Sequence, residues 1–246
     1  MSEVVEGRNP VLETLRGKRI VEKILLAENL KDSKVLTQIK EIARRRGIPL
    51  ISVSRRELDS IASLGAHQGV VAFIEPFSYT PFDVFLSTLD QTPEPIVLLL
   101  DGVEDPQNFG SLLRSVDAAG VSGVIISKRR CVGVTPAVCK ASAGAVEHVP
   151  IIQVSNLPYA IDKLKREGFW IVGGVAEAEK RYFETDLAGK VGLVLGSEGR
   201  GISRLVLEKC DFLVSIPMHG KISSLNVAIA GALLMYEARR QRISHK

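Results

Sequence analysis

The segment of the chain that decides its fold reads Val194-Leu195-Gly196-Ser197-Glu198-Gly199-Arg200-Gly201-Ile202-Ser203. A predicted strand precedes its glycines and a predicted helix follows them. Three glycines within six residues let a ligand approach the main chain closely. Ligands of open parallel sheets bind at loops of this kind, which follow the carboxyl ends of strands.

The glycine spacing disfavours two common nucleotide sites. Gly-x-x-Gly-x-Gly is not the Gly-x-Gly-x-x-Gly fingerprint of dinucleotide sites, and Gly220-Lys221-Ile222-Ser223 lacks the features of a P-loop. ATP hydrolysis and nicotinamide chemistry are therefore not expected. Taken alone, Glu198 is better explained as a carboxylate stabilised by the dipole of the following helix than as a catalytic group.

The same alternation extends over the second half of the chain. Apolar runs predict strands at 96–101, 123–127, 149–154, 170–176, 191–196 and 212–216, and helical patterns lie at 108–119, 135–145, 157–167, 201–209 and 224–242. Strands that are apolar throughout are typical of a parallel sheet covered by helices on both faces. We therefore predict an α/β domain over residues 96–246.

A smaller α/β domain is predicted over residues 1–75, with strands at 23–27, 49–53 and 69–74. Residues 76–95 carry Pro76, Pro81, Pro93 and Pro95, which indicate a linker with a short helix near 82–89.

The composition favours a soluble protein with a well-formed core. Of 246 residues, 46% are hydrophobic and 24% are charged, which excludes disordered and fibrous classes. No apolar run approaches the ~18 residues that a membrane span needs. The amino terminus lacks a signal-peptide pattern, and Cys131, Cys139 and Cys210 form no close pair. We expect a reduced, cytoplasmic protein without a disulfide framework.

Basic residues are concentrated near the amino terminus. The net charge is +4, but residues 1–56 hold 13 Lys and Arg against 7 Asp and Glu, whereas residues 57–95 hold none against 6. Arg44, Arg45 and Arg46 end a predicted helix over 33–46. They either offset the helix dipole or bind phosphates, and both interpretations stay open.

Two further polar segments follow predicted strands, at 101–114 and 216–228. Taken singly, both have ordinary explanations. Arg114, about one turn inside a helix that begins at Asn108 or Gly110, resembles a solvated helix arginine. Serine and asparagine before the last helix resemble helix caps.

Taken together, the three segments carry a resemblance. Asn108-Phe109-Gly110 with Arg114, then Leu195 to Gly201, then Ile216-Pro217-Met218 with Ser223-Ser224-Leu225-Asn226-Val227 resemble motifs 1, 2 and 3 of the SpoU (TrmH-type) RNA ribose methyltransferases. The resemblance covers residues 96–246. In addition, Glu6-Gly7-Arg8-Asn9-Pro10-Val11 with His67-Gln68-Gly69 resembles the substrate-binding domain of the branch that methylates a guanosine of large-subunit (23S) ribosomal RNA.

The resemblance implies an α/β fold whose carboxyl-terminal segment forms a trefoil knot, an exception to the rule that chains are unknotted. It implies binding of S-adenosylmethionine, with S-adenosylhomocysteine as product, and a homodimer that pairs through the knotted domain. No metal is implied. The cofactor residues that it implies are Leu195, Gly196, Ile216, Met218, Ser224 and Leu225.

For catalysis, the resemblance implies a central role for Arg114. A guanidinium with a pKa above ~12 is a poor free base, so we expect Arg114 to bind the adjoining phosphate and to stabilise charge that develops on the ribose oxygen. Asn108 and Glu198 are expected to orient Arg114 or the ribose. Asn226 is expected to fix the loop that carries the cofactor.

The amino-terminal domain resembles RNA-binding folds of ribosomal proteins, and Arg8, Arg16, Lys18 and Arg19 form a second basic group that could hold RNA through its phosphates. Two alternatives stay open: the same reaction on transfer RNA or another ribosomal site, and a non-catalytic ribosome-assembly factor. Base methylation is disfavoured, because the motif from Asn108 to Arg114 resembles that of the ribose-modifying branch.

Overall fold

The computed structural model describes residues 2–17, 19–62 and 67–244, so the predicted basic residue Lys18 lies outside the described residues. The chain forms two compact units. Met1–Ser78 and Val134–His148 belong to the first, here called the amino-terminal unit. Tyr79–Gly133 and Val149–Lys246 belong to the second, the carboxyl-terminal unit. No helix in the described ranges is both long and apolar enough to cross a membrane.

In chain order the strands and helices are β1 (Glu3–Glu6), α1 (Arg8–Arg16), β2 (Val21–Ala27), α2 (Lys34–Arg46), β3 (Leu50–Val53), α3 (Arg55–Ile61), β4 (Val70–Ile74), α4 (Phe82–Leu89), β5 (Ile96–Asp101), α5 (Pro106–Ala118), β6 (Gly123–Ser127), α6 (Pro136–Ala141), β7 (Ile151–Val154), α7 (Leu157–Arg166), β8 (Trp170–Gly174), β9 (Lys180–Arg181), β10 (Val191–Gly196), α8 (Arg204–Leu207), β11 (Phe212–Ser215) and α9 (Val227–Ser244).

The amino-terminal unit is built on a four-stranded sheet of order β1-β4-β2-β3. Strand β4 runs antiparallel to β1 and β2, and β3 runs parallel to β2. Apolar residues of α1 and α2, among them Leu12, Leu36 and Ile39, pack with Ile24 and Val70 of the sheet. This core belongs to the small α/β domain that the sequence predicted ahead of the larger one.

Residues 134–148 belong to the amino-terminal unit, although the sequence placed them in the domain over 96–246. Glu147 ends a short 3₁₀ turn over Ala145–Glu147, and its side chain is 2% exposed. The Arg19 guanidinium lies 3.1 Å from Glu147 Oε1 and 2.6 Å from Glu3 Oε2. Burial raises the pKa of the Glu147 carboxyl, and Arg19 acts against that shift. Because a buried charge needs a partner, this ion pair holds the segment against β1.

The carboxyl-terminal unit contains a seven-stranded sheet of order β7-β6-β5-β10-β8-β11-β9. Every strand pair in it is parallel, which confirms the predicted parallel α/β fold. The two-residue strand β9 at its edge was not predicted, because so short a run leaves no periodic signal. Alternate residues of the strands face opposite sides of a sheet, and Val97 and Leu99 join a core with α4, α7 and α8. Helices α5 and α9 pack on each other.

Helix α4 is part of that core, although the sequence placed it inside a linker. Phe85 is 1% exposed and Leu89 is 2% exposed. The Phe85 ring packs so closely on β6 that a Cβ atom added at Gly123 would lie 2.6 Å from it. The prolines of 76–95 therefore flank a helix that packs into the core. This helix is more than a flexible connection.

Replacing Phe85 with alanine tests this role. We expect Phe85→Ala to lower the free energy of unfolding by about 3–5 kcal/mol, because it removes a fully buried ring. Val84 is the matched control on the same helix, since its side chain is 54% exposed, and Val84→Ala should change stability by less than about 0.5 kcal/mol. Urea denaturation monitored by circular dichroism measures both values. Equal midpoints for the two variants would contradict the packing.

Candidate functional site

The candidate site lies at the carboxyl ends of three neighbouring strands. Strand β5 lies between β6 and β10, so the loops that follow these strands are adjacent. Gly196, the last residue of β10, pairs in register with Asp101, the last residue of β5. The Asp101 Oδ2 atom accepts a hydrogen bond of 2.8 Å from the backbone N–H of Ser203. This bond fixes the glycine-rich loop against the end of β5.

A network of side-chain hydrogen bonds joins the three motif segments. Asn108 Nδ2 donates to Glu198 Oε1 at 3.0 Å. Asn226 Nδ2 donates to the same Glu198 oxygen at 2.9 Å and to Asn108 Oδ1 at 2.7 Å. Residues separated by as many as 118 positions therefore meet at one point.

Local structure positions each member of this network. Asp105 Oδ1 accepts a hydrogen bond of 2.7 Å from Asn108 N, so Asp105 caps α5 and the helix begins at Pro106. Asn226 Oδ1 accepts a hydrogen bond of 2.9 Å from Ala228 N at the start of α9. Both predicted helix starts were therefore wrong: α5 begins two residues before Asn108, and α9 begins three residues after the predicted position 224. The capping side chains precede the helices, whereas the sequence pattern shows only the apolar positions.

The loop that carries Glu198 is closed by its own backbone. Ser197 and Gly201 exchange two hydrogen bonds of 3.1 and 2.9 Å. A Cβ atom added at Gly196 would lie 2.0 Å from the Gly201 carbonyl carbon. Gly196 is thus required by the fold of the loop itself, whereas the sequence had suggested that the close approach was to a ligand.

A cavity of about 350 Å³ opens beside the network. Its lining comes from the loops after β5, β6 and β10 and from the start of α9. The lining residues are Asp101, Gly102, Val103, Glu104, Asp105, Asn108, Arg130, Ser197, Glu198, Arg200, Gly201, Ser203 and Val227. Arg130 was missed by the sequence reasoning, although the run Lys128-Arg129-Arg130 directly after a predicted strand was a visible signal.

The six predicted cofactor residues do not line this cavity. Leu195 is 3% exposed, and its Cδ1 atom lies close to Gly231 of α9. Ile216, Met218 and Leu225 are half-buried, and Ser224 is exposed. The predicted cofactor residues therefore do not form the wall of this cavity, although Gly196 adjoins it through Ser197 and Asp101.

Arg114 also lies outside the cavity lining. It is the ninth residue of α5, more than two turns from the start of the helix, where the sequence placed it about one turn inside. Its side chain is exposed, and no described residue forms an ion pair or a side-chain hydrogen bond with it. The guanidinium is free to contact a bound molecule.

The predicted RNA-binding arginines differ in their availability. The prediction that Arg19 binds RNA is wrong, because its guanidinium is buried between two carboxylates of the amino-terminal unit. Arg8 donates to Ser33 Oγ and to the carbonyl of Gln68, which brings the two amino-terminal motif segments together. Arg16 pairs with Glu13.

The three arginines that end α2 also differ in their availability. Arg46 donates to the carbonyl of Leu15 at 2.7 Å, near the end of α1. Arg44 and Arg45 are exposed, and none of the described ion pairs includes them. Arg44 and Arg45 are therefore the members of the predicted basic groups that are most available for phosphate.

Comparison with known proteins identifies the family. The sequence model of the SpoU rRNA methylase family matches residues 95–236, and that of the RNA 2'-O ribose methyltransferase substrate-binding domain matches residues 4–80. The chain belongs to the SpoU family of RNA methyltransferases. A protein of Bacillus subtilis named as a putative TrmH family tRNA/rRNA methyltransferase, YacO, is 43% identical over 98% of this chain and 96% of its own length.

Solved structures agree with this membership. The SpoU methyltransferase AviRb of Streptomyces viridochromogenes, solved with the cofactor AdoMet, superimposes with a TM-score of 0.84 at 27% identity, covering 99% of this chain and 91% of its own. An RNA 2'-O ribose methyltransferase superimposes with a TM-score of 0.81 at 29% identity, covering 98% of this chain and 88% of its own. The predicted SpoU family, mostly parallel α/β fold and RNA methyltransferase class are thereby confirmed. Among the described residues, no group of three or more His, Cys, Asp or Glu side chains could hold a metal ion.

Gly196 and Gly199 provide a test of the loop. We expect Gly196→Ala to lower the free energy of unfolding by about 3 kcal/mol, because its methyl group overlaps backbone that cannot move alone. Gly199 has a φ of +88° but open space around it, so Gly199→Ala should cost only about 1–2 kcal/mol of backbone strain. Thermal denaturation ranks the two variants. The loop geometry is wrong if Gly199→Ala has the larger effect.

Proposed function

We propose that this enzyme methylates the 2'-hydroxyl of one ribose in large-subunit ribosomal RNA, with a guanosine as the target nucleotide. The observation that carries the proposal is the convergence of Asn108, Glu198 and Asn226 from three separate motifs at one cavity. RNA methyltransferase activity follows from the family. The predicted cofactor, S-adenosylmethionine, is confirmed by the family and by the related structure solved with AdoMet. A ribosomal RNA target is supported by the description of the family model over residues 95–236, which names rRNA, and the amino-terminal domain supports binding of an RNA substrate. The predicted cytoplasmic location stays a prediction.

The cavity can accept the hydroxyl groups of a ribose. Its lining is polar at the network and includes both carboxylate and amide oxygens, which can accept hydrogen bonds from ribose hydroxyls. Methyl transfer requires the 2'-oxygen to be held in line with the methyl group that it attacks. In this proposal Asn108 and Glu198 orient the ribose, and the exposed Arg114 binds the adjoining phosphate and stabilises charge on the oxygen.

The segment 217–225 fits the cofactor by its backbone. Between Pro217 and Leu225, no backbone group pairs with another backbone group of the described residues. Free N–H and C=O groups are available to a ligand that is recognised through the main chain. S-adenosylmethionine supplies an electrophilic methyl group, and in this proposal Gly196, Ile216, Met218, Leu225, Leu195 and Ser224 hold it within the trefoil knot that the family implies.

We further propose that the enzyme is a homodimer that pairs through α9. The small-residue face of this helix is already used inside the unit, because Gly231 packs against Leu112 and Leu195. The opposite side leaves Ile229, Leu233, Tyr236 and Ile243 exposed. Exposed apolar side chains at helical spacing mark a surface that a second copy can cover. Sedimentation at micromolar concentration tests this, and a monomer would contradict it.

The target is tested by mapping 2'-O-methyl groups in RNA from cells with and without the gene. We expect one mark on a large-subunit ribosomal guanosine to disappear with the gene and to return with the intact enzyme. Loss of a mark from transfer RNA, or from another ribosomal site, would overturn the assigned substrate. Unchanged RNA would support the non-catalytic assembly factor.

The role of Arg114 is tested separately. We expect Arg114→Ala to reduce methyl transfer by at least 100-fold while changing the Kd for S-adenosylmethionine by no more than a few-fold, because Arg114 is assigned to the RNA. Arg166, an exposed arginine at the end of α7, is the matched control, and Arg166→Ala should retain full activity. Single-turnover rates and calorimetry measure the two quantities. Full turnover by Arg114→Ala would show that Arg114 has no such role in methyl transfer.

A further inference from the structure

Three consecutive cations follow β6, and the last of them lines the cavity. Lys128, Arg129 and Arg130 directly follow β6, and all three side chains are exposed. Arg130 lines the cavity together with Arg200 of the glycine-rich loop. We call Lys128, Arg129 and Arg130 the cationic loop. Because β6 neighbours β5 and β5 neighbours β10, the cationic loop and the glycine-rich loop approach the same cavity from two strands.

The cationic loop is held in place by contacts to the end of β5. The Cys131 thiol donates to the Leu100 carbonyl at 3.2 Å and accepts from the Gly102 N–H at 3.3 Å. The Val132 N–H donates to the Val103 carbonyl at 2.9 Å. The backbone that carries Arg130 is thus fixed relative to the cavity, which reduces the entropy lost when a ligand is bound.

The carboxylates around the cavity form no ion pairs with these cations. Asp101 accepts from Ser203 N, and Asp105 accepts from Asn108 N. Glu198 accepts from two side-chain amides. None of the ion pairs found among the described residues of the carboxyl-terminal unit includes the cationic loop or Arg200. Arg130 and Arg200 therefore face the cavity without an ion-pair partner among the described residues, while three of the four lining carboxylates, all except Glu104, already accept hydrogen bonds.

We propose that the cationic loop and Arg200 bind the phosphodiesters that flank the target nucleotide. This rests on the proposed function, in which the cavity receives the ribose. A cofactor carboxylate needs only one guanidinium for a bidentate contact, whereas successive phosphates of an RNA strand need several cations spaced along a surface. The cationic loop positions the RNA from within the carboxyl-terminal unit, in addition to any contacts of the amino-terminal unit.

The test measures RNA binding against salt concentration for the full-length chain. The variants are the double variant Arg129→Ala with Arg130→Ala, the charge-retaining Arg130→Lys, and Arg166→Ala as control. Arg166 ends α7 just before β8 begins, so it lies at the amino edge of the sheet, on the side away from the cavity. The probe is a single-stranded RNA of mixed sequence and about 20 nucleotides, titrated between roughly 50 and 200 mM salt.

We expect the double variant to bind the RNA more weakly and to lower the slope of log affinity against log salt by about 1.4, since each single-strand phosphate contact contributes about 0.7. Arg130→Lys and Arg166→Ala should keep the wild-type slope. The Kd for S-adenosylmethionine should stay within twofold in all variants. In methyl transfer, the KM for RNA should rise more than kcat falls in the double variant.

Three results would overturn the proposal. An unchanged slope in the double variant shows that these arginines contact no phosphate. A weakened Kd for S-adenosylmethionine with an unchanged slope assigns them to the cofactor carboxylate. An equal loss in Arg166→Ala shows a general effect of net charge. These readouts do not depend on which RNA is the natural substrate, so an error in the proposed target would leave the binding test intact.

Discussion

The pairing of β10 between β5 and β8 is the constraint on which the rest of the site depends. Strand β10 is separated from β5 by about 90 residues of chain, yet it lies beside β5 over its full length, with Val191 opposite Ile96 and Gly196 opposite Asp101. The carboxyl ends of both strands therefore coincide. This coincidence puts the glycine-rich loop against Asp101 and allows Glu198 to reach Asn108. A shift of β10 by one residue would turn its side chains to the opposite faces of the sheet and separate these groups.

Much of the fold could be predicted because local pattern and tertiary structure agree there. The strands of the parallel sheet are apolar on both faces, so each gave a continuous signal. The errors lie where tertiary packing decides. Prolines on both sides of α4 indicated a linker, but they do not show whether the helix between them packs, and Phe85 is buried. Likewise, α6 has an ordinary helical pattern, and tertiary contacts such as the Arg19–Glu147 and Glu13–His148 ion pairs show that residues 134–148 belong to the other unit.

The candidate site was predicted in part, and for different reasons in different places. Asn108, Glu198 and Asn226 were selected by a resemblance, because capping residues and loop carboxylates are common and no spacing rule brings these three together. Arg19 was selected by charge, which cannot distinguish a solvated guanidinium from one buried against Glu3 and Glu147. Arg130 was overlooked because a basic run after a strand has meaning only once the strand order places its loop beside the cavity.

The three members of the network differ in how many further hydrogen bonds they can form, and this difference indicates their roles. Asn226 uses both amide hydrogens, on Asn108 and Glu198, and its side-chain oxygen accepts from two backbone N–H groups at the start of α9. An asparagine side chain has two donors and two lone pairs, so Asn226 has nothing left to offer a substrate. Asn108 retains one donor and one lone pair, and Glu198 Oε2 has no partner among the described side chains. In the proposed function, Asn108 and Glu198 are thus the members of the network that can still bind substrate hydroxyls, whereas Asn226 holds both of them at the start of α9.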